Sequence, residues 1–246
     1  VDAISVRRDG FYYDPQNDAD VNDRDRWFAR GQLLWQPSDA VSLRLIGDWS
    51  RRSEACCAAT YVDNTVNEYI GDLNNPSTPL TPLQPTGNNI INVLRDLGQP
   101  IAGFNPGYDR TIYVTRGRNF NGLTEDRGVS AELTFDFGNA SLTSITGYRA
   151  YDSSQASDTD YSRVDILYRD EAADTGRSFR TFTQELRLQG EAFDGRLDWL
   201  VGAFFADEDL SLVDNLRFGS QYGRFANCRI ISGGGLAAVY SPTSPS

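Results

Sequence analysis

One block constrains the fold more than any other: Phe179 to Phe205, FRTFTQELRLQGEAFDGRLDWLVGAFF. In its first arm Phe182, Leu186 and Leu188 share one parity, and Thr183, Glu185, Arg187 and Gln189 share the other. In its second arm Leu197, Trp199, Val201, Ala203 and Phe205 alternate with Asp198, Leu200, Gly202 and Phe204. Successive side chains of a strand point to opposite faces, so the block predicts an antiparallel hairpin with one apolar face. Gly190 and Gly195 mark the turn. Each arm has about 10 residues, the length a tilted strand needs to cross a bilayer. Taken alone, the hairpin fits a soluble sandwich with its apolar side to the core or an outer-membrane barrel with that side to lipid.

The same alternation recurs elsewhere. Trp27, Ala29, Gly31, Leu33 and Trp35 share one side of residues 26–36; Val41, Leu43, Leu45, Gly47 and Trp49 share one side of 41–51. Val129, Ala131, Leu133, Phe135 and Phe137 oppose Ser130, Glu132, Thr134 and Asp136 in 127–137. Residues 3–13 and 140–152 also read as strands, the latter with an ambiguous inward face. With 179–190 and 196–207 they make seven expected strands. Short turns at 37–40, 138–140 and 190–196 alternate with long connections at 14–25, 53–126, 153–178 and 207–246. Gly138-Asn139 suits a two-residue hairpin turn, and Asn88 to Leu97 suits a short helix packing Ile90, Ile91, Val93 and Leu94. Long loops without structure are uncommon in compact soluble domains, whereas a transmembrane barrel has short turns at one end and long loops at the other. Tyr12, Tyr13, Trp27, Trp35, Trp49, Tyr148 and Tyr151 fall near strand ends, as interfacial girdles require.

Composition removes several function classes. The chain of 246 residues carries a net charge of −11, and all 23 basic residues are Arg. An acidic chain without a basic patch is not expected to bind nucleic acid. Histidine is absent, which removes the commonest metal ligand and general base and every Ser-His or Cys-His arrangement. No catalytic residue, metal site or cofactor is expected. Asp14, Asp18, Asp20, Asp23 and Asp25 crowd one loop and Asp158, Asp160 and Asp165 another; both read as solvated acidic loops, since the calcium-loop spacing is not met. Gly233-Gly234-Gly235 lacks the strand and helix of a phosphate loop. Arg30, Arg44, Glu132, Glu185 and Arg187 fall on the polar side of their strands and are candidates for a barrel's lumen lining, pairing across strands. If the short turns are periplasmic, Cys56, Cys57 and Cys228 all lie outside the cell, where disulfides form. A bond between adjacent cysteines is strained, so Cys228 is expected to reach the Cys56-Cys57 pair.

Three blocks carry a family resemblance: DVNDRDRWFARGQLLWQPSDAVSLRLIGDWS (Asp20 to Ser50), GNASLTSITGYRAYD (Gly138 to Asp152), and FTQELRLQG with LDWLVGAFF (Phe182 to Gly190, Leu197 to Phe205). They resemble the barrel of TonB-dependent outer-membrane receptors, most specifically in the third block. The resemblance implies an all-β antiparallel meander forming part of a transmembrane β-barrel, about seven strands of a 22-stranded wall. It also implies a fragment, residues 1–246, lacking the N-terminal plug and the motif that engages the TonB energy-coupling complex. The implied function is energy-coupled uptake of a scarce ligand, a ferric siderophore above all, across the outer membrane of a Gram-negative bacterium. The partners are then that ligand, the TonB complex and outer-membrane lipid. Two other readings stay open: a passive porin or adhesin barrel, and a soluble β-domain that binds or hydrolyses carbohydrate.

Overall fold

A computed structural model of the chain describes residues 1–60, 69–70, 81–82, 90–100 and 109–232. Seven strands form one sheet: β1 (Asp2–Arg8), β2 (Arg24–Ser38), β3 (Val41–Ala55), β4 (Asn121–Asp136), β5 (Ala140–Gln155), β6 (Thr175–Ala192) and β7 (Leu197–Asp214). They lie in chain order, and each pairs antiparallel with the next. All seven expected strands are present, but the alternation misjudges their ends. The strands reach 15 to 18 residues from β2 onward, because they continue beyond the apolar band, where neither face demands a pattern. The first strand is shorter than the expected 3–13. It stops at Arg8, and Tyr12–Asp14 pairs instead with Ala19–Val21. Gly10 allows that crossing: a Cβ there would lie 2.6 Å from the backbone N and O of Val21.

The register sorts side chains into two faces. One row runs Trp35, Leu43, Leu133, Ser144, Leu186, Ala203; another runs Gly31, Gly47, Val129, Tyr148, Phe182. Leu33, Leu45, Leu142, Leu188, Val201 and Phe205 share this face. The ambiguity of 140–152 is thereby resolved: Leu142, Ser144, Thr146 and Tyr148 belong to the apolar side. Two polar residues in an apolar band need partners, and Gln184 supplies them. Its Oε1 accepts from Thr146 Oγ1 at 2.6 Å, and its Nε2 donates to Ser144 Oγ at 3.0 Å. Aromatic contacts bracket the band. Trp27 and Trp49 meet edge-to-face at 4.1 Å towards the long-loop end, and Phe135 and Phe137 stack near the short turns.

This apolar face is uncovered. Leu33, Val129, Val201 and Phe205 are each 58% exposed or more. Isolated exposed apolar residues are ordinary, but a continuous apolar face marks an interaction surface. The opposite face is mixed rather than polar throughout. It carries Arg30, Arg44, Glu132, Glu185 and Arg187 but also Phe28, Leu34, Ile46, Ile145, Leu200 and Phe204, and β1 places Ile4 and Val6 there, opposite Phe28 and Arg26.

The connections are sorted by length. Turns at 39–40, 137–139 and 193–196 close one end; the long connections all leave from the other. Gly138 sits at φ 87°, in the left-handed region that glycine enters without strain, and its N donates to Asp136 Oδ1.

Candidate functional site

The long connections are not structureless. At their end of the sheet they fold into a cap that contains the described core of the chain. Val21, Ala58, Ile112, Val114 and Phe120 form one buried cluster; Leu94, Val164 and Ile166 form another, with Leu97, Leu167 and Phe225 against it. The helix read from Asn88 to Leu97 is present as α1 (Ile90–Asp96), and it buries Val93 and Leu94. The side chains of Ile90 and Ile91 lie outside the described residues, as do 61–68, 71–80, 83–89 and 101–108 within the expected loop 53–126 and Gly233 to Gly235 in the tail. The connection 153–178 holds Ser157–Asp158 paired with Leu167–Arg169, and a one-turn helix α2 (Glu171–Asp174). The segment after 207 extends β7 to Asp214 and then forms α3 (Tyr222–Ser232).

Three connections meet at Thr115. Its amide donates to Asp158 Oδ2 at 2.8 Å, its hydroxyl donates to the Ser162 carbonyl, and its own carbonyl accepts from Asn17 Nδ2. Asn22 binds the backbone of Ala58 through both ends of its amide. Asp160 accepts from the amides of Ser162, Ile166 and Leu167 and so shapes the turn between them. Arg118 bonds Asp165 at 2.8 Å and lies 3.2 Å from the centre of the Tyr168 ring. The acidic runs expected to be solvated are thus partly internal. Asp14 and Asp158 are buried, with carboxylates directed at protein donors.

Burial sets their titration. Desolvation pushes the Asp158 carboxyl up to about 8, with the Asp160 carboxylate beside it a second cause. Desolvation also raises Asp14 and Asp160. Asp165 goes the other way: burial opposes its ionisation, but hydrogen bonds from Ser220 and Arg118 outweigh that and lower it. For Asp158 the folded value lies above the unfolded one. Its contribution is therefore fully present below about pH 4 and is lost as pH rises through about 8. The expected result is faster relative hydrogen exchange at the Thr115 amide between neutral and mildly alkaline pH. Asp158→Asn, which keeps an acceptor without a titrating group, should flatten that dependence. A wild-type profile as flat as the variant's would contradict it.

The cysteines pair differently from the expectation. Cys56 and Cys57 are bonded to each other, and Cys228 is a free thiol. The reason is position. Cys56 follows β3 and its amide donates to the Phe120 carbonyl beside the first cluster, whereas Cys228 sits on α3, a turn beyond the Phe225 that packs on the second.

The register brings Arg30, Arg44, Glu132, Glu185 and Arg187 to one face of the sheet. Glu132 lies opposite Arg44, and Arg187 pairs with Glu185 at 2.5 Å. The more connected charges on that face lacked a sequence signal. Arg149 bridges Asp48 and Asp126, and Arg26 forks onto Glu54 at 2.7 and 2.9 Å. Only the register aligns partners so far apart in the chain. These half-exposed pairs set geometry more than stability.

Comparison with known proteins adds one result. No family model matches the sequence, and no curated protein does. Among solved structures, the ferric yersiniabactin uptake receptor FyuA from Yersinia pestis matches with a TM-score of 0.53 at 10% identity, over 87% of this chain and 26% of that one. What the two share is the fold, an antiparallel meander of long strands in one sheet. At this identity the likeness concerns the fold alone, and the chain spans about a quarter of that receptor's length.

Proposed function

We propose that the chain is part of the wall and outer cap of an outer-membrane β-barrel receptor that imports a scarce ligand with energy relayed by the TonB complex. The observation that carries this reading is a single one: an uncovered apolar sheet face combined with long connections gathered at one end. In a membrane, backbone polar groups must be paired and apolar faces meet lipid. The charged face then lines a lumen, with Arg30, Arg44, Glu132, Glu185 and Arg187 around its contents. The cap lies outside the cell, where a ligand is first caught. The likeness to an uptake receptor for a ferric siderophore favours that ligand class. Transport in this reading needs a plug and a coupling motif supplied by the intact protein.

The test uses the intact protein in its host. Uptake of radio-iron from hydroxamate, catecholate and phenolate siderophores is measured with and without the coupling motif, alongside surface binding. Deleting the motif should abolish uptake and preserve binding. Deleting residues 56–120 should weaken binding while the barrel stays inserted. Uptake that persists without the motif would make the protein a passive pore.

A further inference from the structure

The apolar face has one depression that packing within the chain does not explain. Gly31 and Gly47 lie directly opposite each other, in the same row as Val129 and Tyr148. With Trp49 and Arg127 they line a groove of about 460 Å³. Glycine in a strand interior weakens the strand and often marks a place where another molecule approaches closely. Here nothing within the chain demands it. A Cβ on Gly31 would have no heavy atom within 4 Å, and one on Gly47 would meet its nearest neighbours only at 4.0 Å. The space is left open towards the outside.

The charge beside the groove is as specific as its shape. Among the described residues this face carries four strand arginines: Arg7, Arg51, Arg127 and Arg180. Asp25 pairs with Arg7 at 3.5 Å, Glu125 with Arg51 at 3.8 Å and Asp152 with Arg180 at 2.8 Å. Arg127 is exposed and has no hydrogen-bond or ion-pair partner among the described residues. It lies opposite Trp49, two residues from Val129 towards the long-loop end. An unpaired guanidinium above an apolar trough complements an anionic head above a hydrocarbon tail.

We infer that the Gly31–Gly47 groove is a binding seat for a single phospholipid of net negative charge, its acyl chain against Trp49, Val129 and Tyr148 and its phosphate on Arg127, where a zwitterionic head would bring its own cation against the guanidinium. This rests on the outward face meeting the membrane. The glycines remove side chains where the chain lies, the aromatic residues wall it, and the guanidinium offers two parallel donors to phosphate oxygens. Tyr148 and Trp49 stand at the depth where amphipathic rings sit at the headgroup boundary, which places Arg127 at headgroup level in the leaflet next to the cap.

The experiment is native mass spectrometry of the intact protein, released from micelles containing equal amounts of phosphatidylglycerol and phosphatidylcholine. Insertion into liposomes is checked in parallel. One retained phosphatidylglycerol is expected, preferred about tenfold over phosphatidylcholine, the ratio a charge-assisted pair of this kind supports. Arg127→Gln should remove the preference. Gly47→Leu should fill the groove and remove the retained lipid; Arg196→Gln, in the short turn, should change neither. A protein that inserts but holds both lipids equally, unchanged by Arg127→Gln, overturns the lipid seat and leaves the membrane reading standing. A dimer that Gly47→Leu dissociates, without lipid preference, overturns it in favour of a second copy in the groove. A protein that never inserts and retains no lipid overturns both readings.

Discussion

Leu186→Arg is expected to cost about 2–4 kcal/mol of folding stability in lipid vesicles, the penalty for arginine near a bilayer midplane on a lipid-facing strand. Leu186 lies mid-strand between Ser144 and Ala203, in the middle of the apolar band. Thr134→Arg, on the opposite face beside Ser42 and Thr143 and one residue along β4 from the Leu133 that is level with Leu186, is expected to cost under about 1 kcal/mol, since that face carries charge already and water or polar groups can solvate it. Denaturant titration of the vesicle-inserted protein measures both. Equal penalties for the two arginines would mean that the faces do not differ in environment.

The second large effect belongs to the cap. Phe120 is 1% exposed, packs with Ile112 and Val114, and stacks on Tyr161 at 6.0 Å. Phe120→Ala should cost about 3–5 kcal/mol, the usual range for removing a buried aromatic ring. The loss should be confined to the cap, because the strands are held by their own ladders. Hydrogen exchange should therefore quicken at Ala58, Thr115 and Ile166 while amides in the middle of β3 to β6 keep their protection. Trypsin should cleave faster after Arg118, which the folded cap holds on Asp165. Uniform loosening of cap and sheet would show that the two are one cooperative unit.

What the sequence reveals follows from what each part is asked to do. A strand with one apolar face must alternate, so β2, β3, β4 and β7 announce themselves through residues such as Leu33, Leu45, Leu133 and Val201. The fifth strand does not, since Ser144 and Thr146 interrupt its apolar parity; a partner on the next strand, Gln184, makes them tolerable. Strand ends are illegible because beyond the apolar band neither face keeps a pattern: β7 there carries Leu210, Leu212 and Val213 among Asp207, Asp209 and Ser211. The cap is legible only at α1, where Val93 and Leu94 keep helical spacing. Elsewhere its order comes from single long-range bonds, Asn22 to Ala58 or Thr115 to Asp158, which carry no period. The charged face was legible as a parity, through Arg30, Arg44 and Glu185. Its longest-range link, Arg149 to Asp48, spans 101 residues and depends on the register.

The central claim is that alternate residues of one strand face lipid and a polar lumen, and spin-label accessibility along β6 tests it most directly. Single labels would be placed at residues 182 to 189 of the intact protein in liposomes, and collision rates with dissolved oxygen and with a water-soluble nickel complex compared. Oxygen should dominate at 182, 184, 186 and 188, and nickel at 183, 185, 187 and 189, with a strict period of two. Nickel access at every position, or equal protection on both parities, would contradict a membrane wall and return the sheet to a soluble fold.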